Sequence, residues 1–126
     1  MTLVLDAGAF VAVERGDREI VALIKRERLA ERAPLTHGGV VGQVWRGGAG
    51  RQAELARLLP GVDVKPIDQD LGKRAGALLR ESRRADVLDA ALIAVAADGD
   101  ELLTSDPDDL RVLAEAAGLH VDVITV

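Results

Sequence analysis

Apolar positions along the chain follow two rhythms that take turns. Short continuous or alternating runs predict strands, and apolar residues spaced three and four apart predict helices. Thr2 to Leu5 is a short apolar run rich in β-formers, which reads as a buried strand ending at Asp6. Ala7 to Val13 reads as a short helix. Asp17 caps a longer one running to about Arg32, with Ile20, Leu23, Ile24 and Leu29 inward, and Pro34 stops it. Pro34 to Thr36 predicts a brief second strand. Thr36 then caps a helix carrying Val40, Val41, Val44 and Trp45, broken at Gly47-Gly48. Gly50 to Leu59 is a further helix closed by Pro60-Gly61, and Val62 to Ile67 alternates as a strand should. Asp68 caps a helix through about Ser82, with Leu71, Ala75, Leu78 and Leu79 facing inward. Val87 to Ala97 is apolar nearly all round, hence a buried helix, ended by Gly99. A strand at Glu101 to Thr104, a helix at Pro107 to Ala117 ended by Gly118, and a strand at His120 to Val126 complete the series. Strands alternating with helices imply an α/β fold, a three-layer α/β/α sandwich on a mostly parallel sheet. No repeat or linker interrupts it, so residues 1–126 are expected to form one domain.

Composition refines this picture. The 126 residues include one Trp, one Phe and no Tyr, so the core must be built from many small aliphatic contacts. That suits helices packed on a parallel sheet. A formal net charge of −5 argues against indiscriminate nucleic-acid binding, which depends on Lys and Arg neutralising phosphates. It leaves room for an enzyme that meets phosphate through a metal ion or one local basic patch. With no cysteine, disulfides and thiolate metal sites are excluded. Met1 to Phe10 is apolar but carries Asp6 and lacks a basic leader. No apolar run approaches membrane-spanning length, so a cytoplasmic protein is expected.

The candidate chemistry is acidic. A parallel α/β sheet places its ligands just past the carboxyl ends of its strands. Asp6 follows the first strand and Asp106 follows the Leu102–Thr104 strand. Asp86 and Asp89 stand three apart at the start of the buried helix and so share one of its faces. Each has a plainer reading as a helix cap. Asp106 with Pro107, Asp108 and Asp109 makes a good helix start, the acids facing the helix dipole. Carboxylates gathered at one end of a sheet nevertheless repel one another unless a cation sits among them. Oxygen-only ligands suit Mg²⁺ or Mn²⁺ rather than zinc. Of the two histidines, His120 begins a strand, and His37 lies at a helix start as a surface candidate.

These residues resemble a known family. Val4-Leu5-Asp6-Ala7 resembles the opening motif of PIN domains, Asp89-Ala90-Ala91-Leu92-Ile93-Ala94 their third-acid helix, and Leu103-Thr104-Ser105-Asp106-Pro107-Asp108-Asp109-Leu110 their last strand and acid. Order and spacing match along almost the whole chain, and its length is similar to that of VapC-type toxins. The resemblance implies a Mg²⁺- or Mn²⁺-dependent endoribonuclease acting on RNA, a homodimer, and a VapB-type antitoxin partner. It carries catalytic and metal-binding roles to Asp6, Asp89 and Asp106, an additional metal-binding acid to Asp86, and an assisting hydroxyl to Ser105.

One position departs from the pattern. Where the family usually has a Glu, on the helix after the second strand, Gln43 stands in Val41-Gly42-Gln43-Val44-Trp45-Arg46. An amide offers a metal one carbonyl oxygen and no charge. Gln43 is therefore either an assisting ligand or a plain helix residue, and the alternative to a nuclease is a non-catalytic PIN-like domain that binds RNA or protein. Arg46 and Arg51 are candidates for gripping RNA phosphate, with a solvated helix face as the other reading. Lys73, Arg74, Arg80, Arg83 and Arg84 form either an RNA-facing edge or a helix's wet side. Trp45 belongs to the core or to an interface.

Overall fold

The computed structural model describes all 126 residues. Five strands form one sheet in the order β3-β2-β1-β4-β5, every neighbouring pair parallel: β1 Leu3–Leu5, β2 Leu35–His37, β3 Asp63–Lys65, β4 Glu101–Thr104 and β5 Asp122–Thr125. Connections run outward in opposite directions from the central pair, β1 and β4. That pair is therefore the topological switch point, and a crevice opens beyond its carboxyl ends. Both strands are apolar because both faces are covered; Leu3, Val4, Leu5, Leu102 and Leu103 are fully buried.

Seven helices cover the sheet: α1 Ala7–Glu14, α2 Arg18–Leu29, α3 Gly38–Val44, α4 Ala53–Leu58, α5 Gln69–Ser82, α6 Val87–Val95 and α7 Pro107–Ala116. They pack as two groups. α1 gathers α2, α3 and α4 around it, while α5, α6 and α7 pack on one another. The expected α/β/α sandwich is thus the fold observed. Ala90 to Ile93 of α6 are buried without interruption, as an all-round apolar helix requires. No helix is long and apolar enough to cross a membrane.

Several element boundaries differ from the sequence reading. α2 stops at Leu29, whose side chain is exposed rather than inward. Glu27 is the buried residue of that turn, paired to Arg32 Nε at 2.6 Å and to Arg26 at 3.0 Å. The segment Gly50–Leu59 is a 3₁₀ turn, Gly50–Gln52, followed by the short α4. α6 ends at Val95, well before Gly99, and β5 begins at Asp122, so His120 lies outside it.

The change that matters most is at the end of β2. The strand runs one residue further than expected, and His37, not Thr36, caps α3. Thr36 instead donates its hydroxyl hydrogen to the carbonyl of Leu5 at 2.8 Å. His37 is no surface residue: it is completely buried.

Candidate metal centre

The crevice beyond β1 and β4 is built from residues that each end a strand or begin a helix. Asp6 leaves β1 with its backbone N–H still in the sheet, donating to Leu103 O at 3.0 Å. Its carboxylate is buried and doubly held: Oδ1 accepts from Ala7 N at 2.8 Å, and Oδ2 accepts from the Thr104 hydroxyl at 2.7 Å. Thr104 Oγ1 also accepts the N–H of Asp106 at 2.9 Å, so one buried threonine at the end of β4 ties two site acids together.

Asp106 opens α7 without capping it, since its side chain accepts no hydrogen bond from the helix's first turn. Its carboxyl group instead faces that of Asp109 within hydrogen-bonding reach. Asp86 does cap α6, accepting from Leu88 N at 2.9 Å and Asp89 N at 3.2 Å through one oxygen. Asp89 is half-buried beyond that cap. It makes no capping-box return, because its carboxylate points instead to a shared acidic cluster.

One oxygen each from Asp89, Asp106 and Asp109 lie within 4.8 Å of one another. Asp6 is close enough for its charge to act on both Asp89 and Asp106. Burial pushes the Asp89 carboxyl up to about 7, and the charges of Asp86, Asp6, Asp106 and Asp109 push in the same direction. Asp106 is exposed, yet its carboxyl is also raised, first by lost hydration and then by Asp109 beside it. Both shifts have the sign expected where carboxylates crowd without a counter-ion. The donor set is oxygen-only, which fits a hard divalent cation such as Mg²⁺ or Mn²⁺.

Asp109 was read from the sequence as a first-turn helix acid alone. It follows Asp106 by three residues, the same spacing that joined Asp86 to Asp89, and that spacing was the available signal. Arg84 approaches it from outside, 3.3 Å from Oδ1, so part of the basic run flanks this site. Ser105 is exposed beside Asp106. A Cβ on Gly8 would come within 2.8 Å of the Ser105 backbone nitrogen, so only glycine lets α1 approach the β4–α7 turn this closely.

The region of Gln43 is more open. Gln43 is exposed on α3, and no hydrogen bond holds its amide in place. Further along, Arg46 and Arg51 line one open cleft together with Arg15, which ends α1. Gln52 organises that cleft. Its Nε2 donates to Val44 O at 2.6 Å and to Glu14 at 3.0 Å, while its Oε1 accepts from the N–H groups of Arg46 and Gly48. Trp45 lies half out of the core, its ring against Gly48.

His37 stands behind the site. Its Nε2 is 2.8 Å from Leu88 O, and its Nδ1 accepts from the N–H groups of Gly39 and Val40. Burial holds its pKa below the ordinary histidine value.

No family model and no curated protein matches this sequence. A solved structure, VapBC2 from Rickettsia felis bound to a DNA fragment from their promoter, is similar in fold, with a TM-score of 0.71 over 98% of this chain and 99% of that one. Identity is 11%, so the likeness is one of fold alone, an α/β/α sandwich on a parallel five-stranded sheet.

Proposed function

We propose that this chain, which has the fold of a VapC-type PIN domain, is a metal-dependent endoribonuclease and the toxin half of a toxin–antitoxin pair. The observation that carries the reading is the meeting of Asp89, Asp106 and Asp109 oxygens within 4.8 Å, beside a buried Asp6, at the switch point of this fold. Asp106 declining its cap bond and Asp89 held near neutral pKa both favour a cation site over a set of helix caps.

Asp89, Asp106 and Asp109 would hold Mg²⁺ or Mn²⁺, with Asp6 and the free oxygen of Asp86 adding charge. When bound, such a cation supplies Lewis acidity toward a water and offsets charge growing on the phosphate. Thr104 keeps Asp6 and Asp106 in register, which is what a site acting by orientation requires. The cleft lined by Arg15, Arg46 and Arg51, and by Glu14, is suited to the RNA backbone, since guanidinium groups pair with phosphate oxygens; Arg46 would do so with the nitrogens not already donating to Gly42 O and Trp45 O. The cleft gives an acidic protein one local place to hold a polyanion. Gln43 lacks the charge of the family's usual Glu. Asp109 restores one carboxylate to the cluster, and this favours the catalytic reading over a non-catalytic PIN-like domain.

VapBC2, the neighbour in fold, is described as a complex bound to promoter DNA. By that likeness the proposed partner is a VapB-type antitoxin; a second copy of this chain is proposed from the resemblance of its motifs to VapC-type toxins alone. The test is cleavage of a defined RNA set with added Mn²⁺. Cleavage that chelator stops and Asp106→Asn abolishes is expected. Intact RNA under conditions where Mn²⁺ demonstrably binds would favour the non-catalytic domain instead.

A further inference from the structure

The last two residues of β2 touch the site without contributing to it. We infer that Thr36 and His37 are a pair of positioning residues, each fixing the peptide plane that immediately precedes a site carboxylate. The inference rests on the metal reading for its consequence, and on hydrogen bonds alone for its geometry.

The Leu5–Asp6 peptide is held at both ends. Its carbonyl oxygen accepts the Thr36 hydroxyl hydrogen at 2.8 Å, and its N–H donates to Leu103 O at 3.0 Å. The Leu88–Asp89 peptide is held in the same manner. Its oxygen meets His37 Nε2 at 2.8 Å, and its N–H donates to Asp86 Oδ1 at 3.2 Å. A peptide unit is planar and rigid, so fixing its oxygen and its N–H fixes the next Cα and narrows where that residue's side chain can lie. Adjacent residues on one strand thus set two acids that are 83 positions apart in sequence.

The imidazole is matched to this task. Nδ1 accepts from Gly39 N at 3.1 Å and Val40 N at 3.3 Å, so it carries no proton. In the neutral ring the proton is then on Nε2, which donates to Leu88 O. One side chain therefore caps α3 and ties it to the first turn of α6. The two helices come close there: a Cβ on Gly39 would lie 2.5 Å from Leu88 Cδ2 and 2.9 Å from Ile67 Cδ1, methyl ends that would have to turn aside. Thr36 and His37 are both fully buried, so neither is placed to meet RNA itself.

Four variants separate positioning from general support. His37→Gln keeps an amide donor near the place of Nε2, whereas His37→Asn keeps a cap acceptor for α3 and gives up the reach to Leu88. Thr36→Ser keeps the hydroxyl and Thr36→Val loses it at nearly the same shape. Mn²⁺ dissociation constants measured calorimetrically on the metal-free protein should rise about tenfold or more in His37→Asn and Thr36→Val, the range for partners that orient metal ligands. They should stay within about threefold in His37→Gln and Thr36→Ser. Wild-type affinity in both His37→Asn and Thr36→Val overturns the inference, as does equal loss in the conservative and non-conservative variants. If the wild type itself binds no Mn²⁺, the metal reading fails. The positioning is then read from amide hydrogen exchange at Asp6 and Asp89, which should quicken about tenfold in Thr36→Val and His37→Asn respectively. Unchanged exchange there overturns it. Should His37→Asn fail to fold, the Thr36 pair decides alone.

Discussion

Asp89 shows how one residue reports on the whole site. Its carboxyl is raised to about 7, so the folded protein favours its neutral form. A carboxyl raised on folding contributes stability that is fully present below its unfolded pKa, near 4, and is lost as pH rises through about 7. In chelator, Asp89→Asn should therefore gain in melting temperature relative to wild type between about pH 5 and about pH 8, and scanning calorimetry at both ends checks this. Cation binding needs the ionised form, so the metal-induced rise in melting temperature should grow over the same range in the wild type. A rise of the same size at both pH values would mean that Asp89 is not a ligand. Charge count gives a companion prediction: Asp109→Asn should weaken Mn²⁺ binding and Gln43→Glu should strengthen it, each by about tenfold, in a calorimetric titration. Asp6, Asp86, Asp89 and Asp106 stood out in the sequence as candidates because each follows a strand or lies at a helix start. Asp109 was hidden among three acids of one helix start, where its dipole role was sufficient explanation. Arg15 gave no signal, because its part in the basic cleft depends on how the ends of α1 and α3 meet.

At the level of elements, the strands and helices were legible from apolar rhythm, and the corner after β2 was not. Thr36 and His37 both carry a side chain able to cap, and sequence favours threonine for that place. Thr36 has a competing partner, Leu5 O on the neighbouring strand, and only the tertiary register reveals it. That register extends β2 by one residue and buries the imidazole. The exposed reading of His37 failed for this reason. Close approach between elements sets a further prediction. Gly8 lies against the Ser105 backbone, and a methyl group there would force α1 away from the β4–α7 turn. Gly8→Ala should cost about 1–3 kcal/mol in chemical denaturation, as overpacking generally does, and should weaken Mn²⁺ binding by moving Asp6 relative to Asp106. Unchanged stability would show that the turn yields without consequence.

For the molecule as a whole, five parallel strands and their opposed connections open a crevice beyond the carboxyl ends of the central pair, where the candidate acids gather. That convergence was legible in outline, since the α/β alternation implies a parallel sheet and ligands gather past the carboxyl ends of its strands, whereas the strand order was not. Association with other chains was not, as it depends on surfaces that no rhythm marks. The proposed homodimer should give, by light scattering at micromolar concentration, about twice the 13.3 kDa of the single chain. A monomer under those conditions would count against it. The central claim is narrower: the carboxylates beyond β1 and β4 form a divalent-cation site and are not merely helix caps. Isothermal titration of Mn²⁺ into the metal-free protein tests it most directly, comparing wild type with Asp89→Asn and with Asp108→Asn, whose carboxylate faces solvent beside Arg111. Saturable binding in the wild type and in Asp108→Asn, lost in Asp89→Asn, is the predicted result; no binding, or the same binding in all three proteins, would contradict it.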